Sequence, residues 1–357
     1  MKLGILTLPL HSNYGGILQN YALQKAVASL GHEPLTLNLP LPPTHKRQKN
    51  RTPQEAAEYE RRTTAIQSFV ERNIVRTASL TWPFSFDQIS DLQLDGYIVG
   101  SDQVWQPSFA KRDFLNAMFL GFLPKESYVV RLAYAASFGP ARWTFGRKLL
   151  FRFGLARYAR RFDGLSVRED AGADFCRKYM GIKTPVVLDP VMLLTAEDYC
   201  RELEVPESPS GHLMTYVLDP TPAKSATIDA IRRRLGLTQE VVFSSYDHCQ
   251  GEMPSPVDWL AGFRNASFVV TDSFHGTVLS ILFGKPFAVF ANAARGLERF
   301  HTLLRPLGLE KRLLSLQGES YPALSDDFFN EIDYGRVNGL LEARRQESME
   351  FLRRHLK

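Results

Sequence analysis

Val269-Val270-Thr271-Asp272-Ser273-Phe274-His275-Gly276-Thr277-Val278-Leu279-Ser280-Ile281-Leu282 is the stretch on which the reading of the fold turns. A β-branched apolar run, Phe268 to Val270, meets a polar break, Thr271 to Ser273. An apolar stretch of helical character follows, Val278 to Phe283, with Gly284 as its stop. The pattern predicts strand, tight loop, helix. In open α/β sheets that junction lies at the carboxyl end of a strand, where ligands bind. Between Asp272 and His275 the loop offers a carboxylate, a hydroxyl and an imidazole, beside Gly276, which lets a ligand approach the backbone. The helix start presents free N–H groups and favours an anion. The simpler alternative is that Asp272 or Ser273 caps the helix and His275 is a satisfied interior histidine.

Outward from this stretch, the same alternation runs through the chain. Lys2 to Leu8 forms a strand, His11 to Gly16 a turn-rich loop, Ile17 to Leu30 a helix stopped by Gly31, and Glu33 to Leu39 the next strand. The pair Gly15-Gly16 at the helix start can cradle a phosphate or a sugar, although the G-x-G-x-x-G spacing is absent and a plain tight turn fits as well. Glu55 to Arg72 is expected as one polar helix. Strands are expected at Asp95 to Val99, Tyr128 to Ser137, Gly164 to Val167 and Val186 to Leu188. Three of them run into polar clusters: Gly100-Ser101-Asp102-Gln103, Arg168-Glu169-Asp170 and Asp189-Pro190. In the second half, strands at Leu213 to Leu218, Glu240 to Ser244, Phe268 to Val270 and Pro286 to Phe290 alternate with helices at Pro222 to Leu235, Pro256 to Asn265 and Leu297 to Leu307. Such alternation predicts two Rossmann-like, doubly wound α/β domains facing a cleft. Their expected extents are residues 1–195 and 209–333, linked through the proline-containing Thr195 to Pro209. A long charged helix, 334–357, is expected to pack back on the first domain.

Composition bounds the function. With 357 residues and 44% hydrophobic content, the chain can bury two cores. No apolar run reaches the ~20 residues that span a bilayer. Cys176, Cys200 and Cys249 are far apart, which suits a reducing compartment and argues against a structural zinc site. A Met1 that leads directly into a strand pattern adds the expectation of a cytoplasmic protein. The net charge of +5 and the pI near 9.0 favour anionic ligands or an acidic membrane surface and are too diffuse for nucleic acid. Ala141 to Phe162 is basic and aromatic without an acidic residue until Asp163. It is either a peripheral contact with the inner face of a membrane or a solvated helix facing its own core.

Six phrases in order now carry a resemblance. They are Asn13-Tyr14-Gly15-Gly16 with Leu18-Gln19 and Tyr21-Ala22-Leu23; Gly100 to Trp105; Tyr134-Ala135-Ala136-Ser137-Phe138-Gly139; Ser166-Val167-Arg168-Glu169; Leu188-Asp189-Pro190; and Thr271 to Thr277. From about residue 3 to about residue 305 the chain resembles the polysaccharide pyruvyl transferase family. The resemblance implies a two-domain GT-B-like fold. It also implies transfer of a pyruvyl unit from phosphoenolpyruvate onto two hydroxyls of a sugar, giving a cyclic ketal in cell-surface or exopolysaccharide synthesis, with no cofactor besides that donor. The acceptor is a sugar or oligosaccharide, free or lipid-linked. Many members carry Arg-Leu-His-Gly where this chain has Ser273-Phe274-His275-Gly276. Arg295 and Arg299 are the candidates to replace the missing cation.

The donor's phosphate and carboxylate call for fixed cations and aimed N–H groups. Arg168, at a strand end, is the candidate anion clamp, with a surface ion pair to Glu169 or Asp170 as its alternative. His275 is the candidate general acid or stabiliser of departing phosphate, with Ser273 and Gly276 beside the donor. Asp102 and Asp189 are candidate bases for the acceptor hydroxyls, or else a helix cap and a turn anchor. Asn13, Tyr14, Gly15 and Gly16 are expected to contact the acceptor or shape the cleft. No residue cluster calls for a metal. A nucleotide-sugar glycosyltransferase of the same architecture and a non-catalytic glycan-binding relative are the competing functions.

Overall fold

A computed structural model of the chain describes residues 1–40, 52–106, 112–139, 146, 154–208, 211–292 and 296–357. Two five-stranded sheets organise it. The first comprises β1 (Lys2–Leu6), β2 (Glu33–Thr36), β3 (Gly96–Val99), β4 (Val130–Ala136) and β5 (Gly164–Val167), in the order β2-β1-β3-β4-β5. The second comprises β6 (His212–Tyr216), β7 (Gln239–Phe243), β8 (Ala266–Thr271), β9 (Phe287–Phe290) and β10 (Leu313–Leu314), in the order β10-β9-β8-β6-β7. Every pairing between these strands is parallel. The interior strands β3 and β9 are buried along their whole length, as parallel strands covered by helices on both faces must be. The α/β, GT-B-like fold expected from the sequence is borne out.

Both sheets reverse their winding beside their first strand. The chain passes from β1 to β2 on one side and then crosses to β3 on the other; β6, β7 and β8 repeat the move. The crevices at such reversals lie at β1/β3 and β6/β8, and there the loops splay apart and ligands collect.

The two halves are joined by packing more than by the connecting strand of chain. Helix Tyr14–Ser29 shares one core with the second half, in which Tyr14, Ile17 and Leu18 meet Met214, Trp259 and Val278. Arg62 lies 4.1 Å over the Tyr246 ring and donates to the carbonyls of Tyr246, Cys249 and Gly251. On the far side Thr302 Oγ1 donates to Asp170 Oδ2 at 3.0 Å and accepts from the Asp170 amide at 3.2 Å. Helix Tyr334–His355 runs along both halves. The Tyr334 hydroxyl donates to the Lys285 carbonyl at 2.6 Å, and Leu352 and Leu356 pack among Leu3 and Ile5 of the first sheet and Leu23 of helix Tyr14–Ser29.

Several elements differ from their expectation for local reasons. Glu55 to Arg72 is two helices, Pro53–Arg62 and Thr64–Asn73. Thr63 breaks them by turning its hydroxyl back on the Tyr59 carbonyl. Val186 makes a single bridge to Val167, and no strand forms there. Within the expected linker, Thr195 and Asp198 form a capping box that starts helix Ala196–Glu202, so a proline-flanked segment folds onto the core through Tyr199. The basic stretch from Ala141 lies largely outside the described residues. At its end Arg160 and Arg161 donate to the carbonyls of Met180 and Pro124.

Leu352 is fully buried beneath the first sheet, so Leu352→Ala should cost about 2–5 kcal/mol, the usual range for a large-to-small core change. Denaturant unfolding checks this, and an unchanged midpoint would mean that the helix end carries no packing.

Candidate active site at the domain interface

The site is built on Asp189, whose carboxylate is wholly buried. Oδ1 accepts from the Val191 amide at 3.0 Å, fixing the turn that Pro190 starts. Oδ2 accepts from Arg168 Nη1 at 2.7 Å and from Ser101 Oγ at 3.1 Å. His275 Nε2 approaches the same oxygen at 3.4 Å, without the alignment of a hydrogen bond. Burial opposes ionisation of Asp189, but His275 and Arg168 outweigh it and hold the carboxyl well below the usual range.

Arg168 extends from the end of β5 with its side chain 1% exposed. Besides Asp189 it faces Asp102 Oδ1 at 3.7 Å and Glu169 Oε2 at 3.8 Å. Its guanidinium lies 4.6 Å from the Phe274 ring centre, and Arg299 lies 5.4 Å from the same ring. One aromatic ring of the second half thus faces two guanidinium groups. Arg299 is one of the two proposed substitutes for the family arginine; Arg295, the other, lies outside the described residues.

Asp102 stands at the β1/β3 crevice in a left-handed conformation, φ 74°, which aspartate tolerates better than most residues. Its Oδ1 accepts from the Gln103 amide at 2.9 Å, and Oδ2 points toward the start of helix Tyr14–Ser29. A Cβ on Gly16 would sit 3.4 Å from that oxygen. Asn13 caps the helix by accepting from the Gly16 amide at 3.2 Å. A Cβ on Gly15 would overlap the His275 imidazole, so only glycine lets the histidine of one half lie against the helix start of the other.

Buried polar atoms without a hydrogen-bond partner gather here: Asp102 Oδ2, Arg168 Nε and Nη2, Glu169 Oε2 and His275 Nε2. Buried polar atoms are ordinarily satisfied, and a cluster of exceptions marks a place built for something else. A groove of about 430 Å³ lined by Leu307, Arg312, Phe328 and Arg336 shares no residue with this cluster.

Other expected residues do different work. Of the two roles expected of Tyr14, contact with the acceptor or shaping of the cleft, its packing fits the second. It is buried, stacks on Trp259 at 5.0 Å and donates to the Pro254 carbonyl at 2.7 Å. Ser273 accepts from the Gly276 amide as the cap of helix Phe274–Leu282. Gly276 is required because a Cβ would strike Thr271 Oγ1. Asp272 accepts from the amides of Leu218 (2.6 Å) and Asp219 (3.1 Å) and from Lys224 Nζ (2.6 Å). That carboxylate therefore fills the β6/β8 crevice from within.

Sequence reasoning passed over Ser101, Phe274 and Glu169 as site residues. Glu169 was weighed only as a partner for Arg168. Its signal was its position: the strand stops at Val167, so two consecutive opposite charges both turn inward instead of alternating. Among the described residues no group of three or more His, Cys, Asp or Glu side chains is arranged to hold a metal ion.

The fold is similar to that of Methanocaldococcus jannaschii UDP-GlcNAc 2-epimerase in complex with UDP-GlcNAc and UDP. The TM-score is 0.51 at 12% identity, covering 100% of this chain and 99% of that chain. It is similar also to Arabidopsis thaliana UGT89C1 complexed with UDP-L-rhamnose, at a TM-score of 0.50 and 10% identity, covering 99% and 98%. At these identities the likeness concerns the fold alone. No curated protein matches the chain. A family model described as "Polysaccharide pyruvyl transferase" matches residues 13–293.

Asp189→Asn leaves Arg168 and His275 buried without their shared anion and should cost roughly 3–5 kcal/mol at neutral pH. Because the folded carboxyl sits below its unfolded value of ~3.9, its stabilisation is full above that value and fades as pH falls through the lower, folded one. Thermal melts across pH should show wild type and variant converging in acid; a gap independent of pH would contradict the ionised pair.

Proposed function

Because the chain belongs to the polysaccharide pyruvyl transferase family, we propose that it moves a pyruvyl group from phosphoenolpyruvate onto two hydroxyls of a sugar. The observation that carries this reading is the buried cluster of charged groups where the two halves meet, several of whose atoms make no hydrogen bond. Arg168 and Arg299 meet the donor's carboxylate and phosphate, and His275 serves the phosphate. The acceptor lies toward the β1/β3 crevice, where Asp102 takes a proton from the attacking hydroxyl. Asn13, with its cap position and exposed side chain, borders the acceptor side.

The reaction needs no cofactor beyond its donor. The acceptor is a sugar or oligosaccharide of envelope polysaccharide synthesis, free or lipid-linked. No described helix is long and apolar enough to cross a membrane. Contact with a lipid-linked acceptor would then occur from the surface, on the cytoplasmic side where phosphoenolpyruvate is found.

The packing at β6/β8 favours this reading over nucleotide-sugar transfer. Two amides and an ammonium that would suit a diphosphate are already taken by Asp272. Thermal-shift measurements should show stabilisation by phosphoenolpyruvate and none by uridine or guanosine nucleotides; the reverse result would favour glycosyl transfer. Sugar binding without phosphate release would leave the glycan-binding alternative.

Phosphate release from phosphoenolpyruvate, with nitrophenyl or lipid-linked sugars as acceptors, is the direct test. Arg168→Lys keeps a charge beside Asp189 but loses the fork, and Arg168→Ala loses both. Calorimetry should show donor binding weakened in both, by roughly 2–5 kcal/mol for the alanine variant. His275→Gln should fold and turn over 10²–10⁴-fold more slowly, about the effect of losing an acid–base group. Near-normal phosphate release from that variant would remove His275 from the mechanism.

A further inference from the structure

Ketal formation from an enol phosphate requires a proton on carbon as well as a base for oxygen. The residues assigned so far include one carboxylate near the acceptor, Asp102, and one imidazole already held against Asp189. Glu169 is a third group, and its geometry is unusual for its place in the chain. It occupies the N-cap position of helix Asp170–Phe175 with extended backbone, φ −132° and ψ 149°. A side chain there ordinarily bends to the helix amides. That of Glu169 makes no cap and turns inward, to 4% exposure.

One oxygen is anchored. Oε1 accepts from Ser137 Oγ at 2.8 Å and from the Phe138 amide at 3.1 Å, both in the loop beyond β4. Oε2 makes no hydrogen bond and lies 3.8 Å from Arg168 Nε, among the same unpartnered atoms that mark the site. A carboxyl held by one oxygen, with the other presented to a buried ligand position, has the form of a proton donor. Burial pushes this carboxyl up, against Arg168, Ser137, Phe138 and Arg299, which pull it down.

Resting on the pyruvyl-transfer reading, we infer that Glu169 delivers the proton to the methylene carbon of the donor through Oε2. The O–H bond of Glu169 breaks and the C2=C3 π pair forms the new C3–H bond, leaving a cation at C2 shared with the ester oxygen. The first sugar hydroxyl bonds to C2 and loses its proton to Asp102. The bond from C2 to the phosphate oxygen then breaks, its pair leaving with phosphate, which takes the proton from Asp102 while His275 stabilises the charge. The second hydroxyl closes the ketal on C2, and its proton returns to Glu169. Donor and diol become ketal and hydrogen phosphate, and both carboxyls end as they began.

Glu169→Gln keeps the shape and the acceptor for Ser137 but has no proton to give. Calorimetry with phosphoenolpyruvate should give a dissociation constant within about threefold of wild type, while phosphate release falls 10²–10⁴-fold. Release within a few fold of wild type overturns the inference and leaves pyruvyl transfer standing. A wild type that releases no phosphate with any acceptor overturns both. Should Glu169→Gln not fold, Glu169→Asp keeps the acid and withdraws it by one methylene. It should turn over at least tenfold more slowly, with the alkaline limb of its pH–rate profile displaced from that of wild type. An unmoved limb and a normal rate overturn the inference equally.

Discussion

One carboxylate holds the site together. Asp189 is reached by a guanidinium from β5, a hydroxyl from beyond β3 and an imidazole from the second half. An ionised carboxylate in a low-dielectric interior is costly unless opposite charge and hydrogen bonds surround it. Here they do, and the cost of burying Asp189 alone is what ties three strand ends and two domains to one point. The Pro190 turn is pinned by the other oxygen, so the path of the chain toward the linker depends on the same group.

Because His275 belongs to one half and its neighbours Gly15 and Asp189 to the other, the cluster is complete only when the halves are docked. The docking is not left to the polar groups. Tyr14 on Trp259, Arg62 over Tyr246 and the Thr302–Asp170 pair also join the halves, and the cluster between them is buried. In such surroundings a fixed charge acts more strongly on a ligand than it would in water. Gly15 is the tightest constraint in this arrangement, since the imidazole occupies the space its side chain would need.

Strand ends and helix starts were legible in the sequence because parallel sheets demand buried apolar runs followed by polar turns. The βαβ opening and the Thr271 to Thr277 junction follow that rule, and the expected helix Pro256 to Asn265 forms over that range. Arg168, Asp189, Asp102 and His275 were legible as strand-end residues for the same reason. What could not be seen was which of them meet. Asp189 and Arg168 are brought together by β5 and the bridge of Val186 to Val167, which is tertiary pairing with no local signal. The role of Tyr14 stays open in the sequence because a tyrosine beside a glycine pair looks the same whether it faces a ligand or a tryptophan from the other half. The capping box at Thr195 was visible as a pattern, but two nearby prolines outweighed it in the reading of a linker.

The division of labour among the buried acids follows from their partners. Asp189 and Glu169 are equally buried and both border Arg168, yet one is held below the usual carboxylate range and the other above it. Asp189 has a charge-assisted bond of 2.7 Å to Arg168 and the nearby imidazole of His275. Glu169 stands 3.8 Å from Arg168 Nε, misses its hydrogen bond and is met by a hydroxyl and an amide, which compensate less for lost water. Arg168 and Arg299 both pull Glu169 down, yet burial outweighs them, whereas at Asp189 the charged neighbours outweigh burial. Titratable neighbours driven apart in this way are the arrangement from which acid and base roles are assigned in active sites. An anionic donor entering the cluster would favour the same distribution. Added negative charge makes ionisation of Glu169 harder still, in the same direction as its burial.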